Sequence, residues 1–393
     1  MRILFAIASF EIGGAEAVYR DIAAGLRARG HETGLLVMAE NRRRGTPEFP
    51  VDAFDRVHEI PMEHWRRGCC CLGAVVREYG LVDLALLGPE WRLGLAAVGV
   101  PIVHTVHSIV GWALWYAYGF YQGEPVAAVV TADRQMAAYI SDLWPGLRVR
   151  RIPNGVDVDR FSIRNPPFDH AQGPGALEGQ SEIRNRSPVV GTVGRISPWA
   201  KHHVMFARVA GWVQSRARAE GRPVPVFRIV GGSRPENRYL DDRLRAAAEK
   251  EGGEIEITGY VPASAEQIPA ALAAMDVFLL TSSTEGSPLA LLEAMASGLP
   301  CVATAVGGVP ELLLGAGGPR GALVAVDDDE AAGKAVEGFL ADPDLASEVG
   351  RRARAYVERE HRIEKSVEAH ERLYAEILGG RQKATSSGQE EDA

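Results

Sequence analysis

Apolar positions along the chain fall into short continuous runs, separated by stretches with helical spacing. Residues 2–8 (RILFAIA) are apolar throughout after Arg2, the pattern of a strand buried on both faces. A loop follows over 9–14. Ala15, Val18, Ile22 and Leu26 then recur at helical intervals, and Gly30 is a suitable stop. Further strands are predicted at 33–38, 83–87, 101–106 and 126–131. Residues 162–187, rich in Pro, Gly and polar side chains, break the alternation. A second block predicts strands at 189–193, 226–230, 254–258, 277–281, 300–304 and 322–326, with helices between them. Residues 344–378 read as charged helix, and 379–393 as a disordered tail. Strand–helix alternation of this kind gives parallel sheets covered by helices. The expected division is a first domain over 1–165, a linker or insertion over 166–187, and a second domain over 188–361. Two doubly wound domains would face across a cleft, with ligands beyond the carboxyl ends of the strands.

Composition narrows the function classes. At roughly 150 residues per domain, 393 residues suit two or three domains. Lys plus Arg number 43 against 51 Asp plus Glu, a net charge of −8, which argues against a dedicated nucleic-acid binder. No apolar run reaches the ~20 residues of a membrane span. The first residues lack a signal-peptide cleavage pattern, so the expected location is the cytoplasm. Four cysteines, three of them consecutive (Cys69, Cys70, Cys71), do not make a disulfide scaffold or a zinc site; they read as reduced thiols.

The richest chemistry lies in TSSTEGSPLALLEAMASGLPCVAT, residues 281–304. A strand ends near Thr281 and a helix starts near Ser287–Pro288, with Pro at the first helical position. A helix N-terminus there offers amides and a positive dipole end to an anion such as a diphosphate. Glu285 precedes the helix and Glu293 lies eight positions on, where its carboxylate could accept from a diol. Solvated acids on a capped helix fit the spacing equally well. Gly13 and Gly14 follow the first strand and permit close backbone approach, or simply a tight turn. Arg195 and Lys201 follow the strand at 189–193 and could balance charge on a leaving phosphate. His104 and His107 end the strand at 101–106. Six aromatic residues crowd into 111–121, among them Trp112, Trp115 and Tyr116; they suit either an acceptor pocket or a buried amphipathic helix. Arg42–Arg44 and Trp65–Arg67 form small basic clusters, read as solvated loops or as contacts to an anionic membrane surface.

The segment EGSPLALLEAMASGLPCVAT resembles the signature of retaining nucleotide-sugar glycosyltransferases of family GT4. GGAE (13–16), IPNGVD (152–157), VGRISPWAKH (193–202), TGYVP (258–262) and GGVPELL (307–313) match in the right order, so the resemblance spans about 1–375. It implies the GT-B fold, two Rossmann-like α/β domains, with a C-terminal helix near 362–378 packing back on the first. It also implies a hexosyltransferase acting with retention. The usual proposal for this family is front-face internal return through an oxocarbenium-like state. Glu285, His107, Arg195 and Lys201 would serve catalysis, with Glu285 beneath the sugar rather than acting as covalent nucleophile. Gly14, Gly286, Ser287, Pro288, Leu289 and Glu293 would join them in binding the donor, and Gly259, Tyr260 and Val261 would lie near its base. Gly13, Glu16 and the three aromatics named above would face the acceptor. Lys201 departs from the pattern: it stands six residues after Arg195 where common members have five, which predicts a one-residue bulge. A UDP-sugar is the first donor expected and a GDP-sugar the second. No cofactor is required. The Asp157-Val158-Asp159 string belongs to a domain boundary rather than to a metal site. The partners expected are a nucleotide sugar and an unidentified acceptor, with no nucleic acid. Some relatives work at the inner membrane face, which makes peripheral contact a candidate. The rival reading is a GT-B protein that does not transfer, an epimerase or a nucleotide-sugar-binding subunit. A dinucleotide enzyme would want G-x-G-x-x-G after the first strand, and SFEIGGAE does not supply it.

Overall fold

A computed structural model describes residues 1–7, 13–38, 51–60, 70–85, 98–107, 126–161, 187–197, 200–233, 237–259 and 267–387. The chain forms two compact units, Met1–Gly155 with Ile363–Ala393, and Val156–Arg362.

In the first unit, β1 (Arg2–Ile7), β2 (Glu32–Met38), β3 (Arg56–Ile60), β4 (Leu81–Leu84), β5 (Ile102–Val106), β6 (Val126–Thr131) and β7 (Val149–Arg151) form one parallel sheet in the order β3-β2-β1-β4-β5-β6-β7. The order reverses between β1 and β4, the arrangement of a doubly wound sheet. Apart from exposed Arg2, β1 is wholly buried, as its unbroken apolar run predicts. α1 (Gly14–Ala28) buries Val18, Tyr19, Ile22 and Leu26. α2 (Cys70–Arg77) and α3 (Arg134–Leu143) complete the helices of the first 155 residues described. Asp133 caps α3, its carboxylate accepting from the Met136 amide. β3 and β7 were not expected; they are the edge strands, and RVHEI and VRR carry the charge that edges tolerate.

The second unit holds β8 (Val189–Val193), α4 (His203–Ala219), β9 (Val226–Val230), α5 (Tyr239–Lys250), β10 (Glu256–Ile257), α6 (Gln267–Ala273), β11 (Val277–Leu280), α7 (Leu289–Ala296), β12 (Cys301–Thr304), α8 (Val309–Leu313), β13 (Ala322–Val324), α9 (Asp329–Ala341) and α10 (Pro343–Glu360). Its sheet is parallel, β10-β9-β8-β11-β12-β13, and reverses between β8 and β11. Phe206, Phe227, Ile229, Leu279 and Val302 sit in the core on one face; Phe278, Leu291, Leu292 and Met295 occupy the other. Cys301 is buried, and burial pushes its thiol above the ordinary range.

Two expectations change. The helical stretch read over 344–378 holds two helices, α10 and α11 (Ile363–Ser387), the second starting where the C-terminal helix is expected; they part where His361 O accepts from the Val156 amide at 2.8 Å and Arg362 pairs with Asp159 at 2.9 Å. The two ends of the second unit are therefore tied together, and its limits fall at 156 and 362 rather than at 188 and 361. α11 belongs to the first unit, where Val367 packs so closely on Gly25 that a Cβ there would meet it at 2.4 Å. Lastly, α11 continues to Ser387, where a disordered tail was expected from 379. No helix among the described residues is long and apolar enough to cross a membrane.

Candidate active site

The strand order reverses between β8 and β11, the place where doubly wound sheets take ligands, and the strongest sequence signals converge at the carboxyl ends of these two strands. The chain leaving β8 and the chain leaving β11 are stitched together. The Ser283 amide donates to Ala200 O at 2.9 Å, and Thr281 Oγ1 donates to Lys201 O at 3.3 Å. This brings Lys201 Nζ to 2.7 Å from Glu285 Oε1. Ser282 Oγ donates to the same oxygen at 2.7 Å, and Ser282 O accepts from Thr304 Oγ1 on β12 at 2.5 Å. Both charged side chains keep part of their surface open. A fixed ammonium and a fixed carboxylate share the end of one sheet, suited to an anionic group beside a hydroxylated one.

Behind Glu285 the backbone runs close to the loop after β12. Gly308 N donates to Gly286 O at 2.8 Å. Gly307 has φ +51, and a Cβ on it would lie 1.8 Å from Glu285 O. Gly286, Ser287 and Pro288 are buried, while Leu289 and Glu293 are half-buried on α7. Pro288, expected as the first residue of α7, is instead its N-cap; it makes no side-chain cap, so among the described residues the first amides of α7 are uncapped by side chains. Arg195 is exposed on the turn after β8. That turn meets β9's loop: Ile196 N donates to Gly232 O, and a Cβ on Gly231 would strike Gly194 O at 2.0 Å. Gly231 N in turn donates to Thr258 Oγ1, beside Gly259 with φ +82. Thr258 and Gly307 open the matched segments TGYVP and GGVPELL, though neither is named as a site residue; Gly231 was not singled out, and the Gly-Gly pair directly after β9 is the signal that marks it.

The bulge expected just before Lys201 falls on a segment of which residues 198 and 199 lie outside the described residues. His202, the residue after Lys201, is left-handed at φ 46 and precedes α4. Its Nε2 donates to Asp327 Oδ1 at 2.8 Å, and Asp327 is itself left-handed at φ 64. Arg208 joins Asp327 at 2.7 Å and Asp329 at 2.5 Å. The hydrogen bonds from His202 and Arg208 hold the Asp327 carboxyl below its usual range. His203 is buried, and burial, with Lys201 and His202 nearby, pushes its imidazole down to about 3.

In the first unit, Gly13 is the extended N-cap of α1 and Gly14 its first residue. Glu16 is buried in that first turn, folded back so that a Cβ on Gly13 would lie 2.5 Å from Glu16 Oε2. His107 follows β5 directly and packs edge-on against Tyr19, with centroids 6.0 Å apart. Burial and then the neighbouring His370 push its imidazole down to about 4, so it is neutral near pH 7. His104 lies within β5 and is half-buried. Tyr260, Val261, Trp112, Trp115, Tyr116, both basic clusters, Cys69 and nearly all of the 166–187 linker lie outside the described residues. Asp157 accepts from the Asp159 amide at 3.2 Å in a local turn. Among the described residues no group of three or more His, Cys, Asp or Glu could hold a metal ion.

Known proteins match this arrangement. Residues 187–342 match the family described as Glycosyl transferases group 1, and residues 12–160 match Glycosyltransferase Family 4. A GDP-mannose-dependent α-(1-6)-phosphatidylinositol monomannoside mannosyltransferase of Mycolicibacterium smegmatis is 30% identical over 285 residues, 68% of this chain and 67% of the relative. A D-inositol 3-phosphate glycosyltransferase of Corynebacterium jeikeium is 30% identical over 229 residues, 58% of this chain and 52% of the relative. Over most of the curated relatives the match spans between about half and two thirds of their length. Anabaena HepE, solved with UDP and glucose, superposes with a TM-score of 0.70 at 19% identity, covering 98% of this chain and 100% of that one. Sucrose-phosphate synthase of Thermosynechococcus elongatus gives 0.74 at 18% identity, covering 97% and 100%; at these identities the likeness concerns the fold. With both family descriptions matched in order and a relative aligned over two thirds of its length, this chain belongs to the GT4, or group 1, glycosyltransferases of GT-B fold.

Proposed function

We propose that the protein is a retaining hexosyltransferase that moves a sugar from a UDP-sugar to an acceptor hydroxyl. The observation that carries this reading is the Lys201–Glu285 pair, 2.7 Å apart at the sheet's reversal point. As the bond between C1 and the diphosphate oxygen breaks, that oxygen keeps the electron pair. Lys201 and Arg195 stabilise the charge that develops, Arg195 with a forked donor set and Lys201 as a compact charge. The first amides of α7, from Leu289, add donors at a positive dipole end. Glu285 accepts from sugar hydroxyls, and Glu293 from the ribose diol. Thr258 and Gly259 lie on the side assigned to the base. His107, neutral near pH 7, is assigned to the sugar or the acceptor hydroxyl. The reading needs no cofactor, and it places the work in the cytoplasm.

The donor preference draws support from relatives. HepE was solved with UDP-glucose, and an Escherichia coli relative is named for UDP-Gal. The mannosyltransferase named for GDP-mannose makes a GDP-sugar the second choice. Names built on phosphatidylinositol mannoside, inositol phosphate and a lipid diphosphate put polyol phosphates and lipid-linked sugars first among acceptors, with peripheral membrane contact proposed for the latter.

The test is a panel of UDP- and GDP-sugars against these acceptors, with nucleotide release and product mass as readouts. Release with at least one pair is expected. Glu285→Gln and Arg195→Ala should each lower turnover at least tenfold, about 1.4 kcal/mol of transition-state stabilisation. Binding of nucleotide without release from any pair would favour a non-transferring protein instead.

A further inference from the structure

Asp83 is a carboxylate in the middle of a sheet. It lies on β4, has no exposed surface, and burial pushes it up to about 6. Three hydroxyls from three different elements donate to it. Tyr19 on α1 and Thr105 on β5 reach Oδ1 at 2.6 and 2.7 Å, and Tyr374 on α11 reaches Oδ2 at 2.6 Å. An apolar side chain would fill such a position without the desolvation cost of a carboxylate, so stability alone is a weak reason for an acid here. A carboxylate with three donors does something an apolar side chain does not: it fixes the direction of each donor.

Two of the three donors lead to His107, one by contact and one along the chain. Tyr19 presents its ring to the His107 ring at 72°. Thr105 stands two residues before His107 at the end of the same strand. The third donor brings in the C-terminal helix. Tyr374 and His370 are one turn apart on α11, with rings 5.8 Å apart. His370 Nδ1 donates to Ser366 O at 2.8 Å, which leaves Nε2 as the bare nitrogen, buried and without a hydrogen-bond partner among the described residues. Among the described residues His107 Nε2 is buried and unpartnered as well, and the two imidazoles lie close enough to disfavour a charge on His107.

We propose that Asp83 is a positioning residue for His107, acting through Tyr19 and Thr105, and that α11 takes part through Tyr374 and His370. The inference rests on the reading that His107 serves transfer. It adds that the helix returning from the far end of the chain sets the orientation and neutrality of that imidazole.

The test compares Tyr374→Phe, Asp83→Asn and Thr105→Val with His107→Ala, reading kcat, donor KM, Tm and the titration of His107 by NMR of labelled histidine. In Tyr374→Phe and Thr105→Val, kcat should fall at least fivefold with donor KM unchanged within twofold, and the His107 midpoint should move upward as its surroundings loosen. A purely structural role would lower Tm and leave kcat and the midpoint in place at temperatures below melting, which overturns the proposal. Should one variant fail to fold, the others give the same two readouts. If His107→Ala loses activity while the three variants keep wild-type kcat and midpoint, the positioning inference fails and the reading of His107 stands. If His107→Ala keeps full activity, the reading of His107 fails first.

Discussion

Gly307 meets the Glu285 loop with a hydrogen where any other residue would carry a carbon. Its φ of +51 is strained for an L side chain, costing roughly 1–2 kcal/mol. The added Cβ would also lie 1.8 Å from Glu285 O, so the backbone under the carboxylate would have to move. Glu285 is held to Lys201 by one 2.7 Å bond, and a misplacement of about an ångström can cost on the order of a hundredfold in rate. Gly307→Ala should therefore lower Tm and cut turnover at least tenfold. Gly338→Ala is the control: that residue lies inside α9 with nothing within 4 Å of an added Cβ. It should leave turnover alone and gain about 0.5–1 kcal/mol in urea unfolding. Wild-type turnover in Gly307→Ala would show that the loop tolerates displacement and that Glu285 is not held for catalysis.

Helices and strands divide by how plainly their burial was written. Strands buried on both faces, such as β1 after Arg2 and β11, are unbroken apolar runs and were legible. Edge strands β3 and β7 were not, because charged side chains there break the pattern. The break between α10 and α11 is placed near 362 by the family resemblance alone; nothing in the segment itself marks it, since it is set by Val156 bonding to His361, more than two hundred residues away. The same division holds at the site. Lys201 and Glu285 stood out by type and by position after strands, whereas Asp83 read as one more residue of a strand because its partners come from three remote elements. α11 illustrates what such distant contacts contribute. Val367, Leu373, Tyr374 and Ile377 are buried within the first unit, and an aliphatic or aromatic side chain fully buried contributes roughly 1.5–3 kcal/mol. Ending the chain after Gly380 should leave the melting curve unchanged. Ending it after Arg362 should remove most of the cooperative unfolding of the first unit while the second still melts. Equal melting of the two truncations by circular dichroism would mean that α11 is dispensable to the fold.

For the molecule taken together, the buried titratable groups predict how stability follows pH. His107 and His370 are pushed down to about 4 and His203 to about 3, in each case chiefly by burial. Below pH 6.5 an unfolded histidine takes up a proton that the folded one refuses. Each of the three thus destabilises the fold by about 1.4 kcal/mol per pH unit until its folded value is reached. Asp83 works in the opposite sense. Its folded value of about 6 lies above the ordinary 3.8, so between the two the folded state holds the extra proton and stability rises as pH falls. Asp327 and Glu371, held low by His202 with Arg208 and by His31 with Arg29, begin to lose their stabilisation only in the acid carboxylate range. His58 is lowered by burial as well, so among the described residues the histidines outweigh the single carboxyl that opposes them, and Tm should fall steadily from pH 7 to 4. Two variants separate the contributions. His203→Gln removes a group that refuses protons and should flatten the decline. Asp83→Asn removes the one opposing group and should steepen it between pH 6 and 4. Calorimetric scans at half-unit steps read both slopes. A wild-type Tm that stays level from pH 7 to 5, or two variants that track the wild type in parallel, would mean that these side chains reach water in the folded protein, and the neutrality assigned to His107 would fall with them.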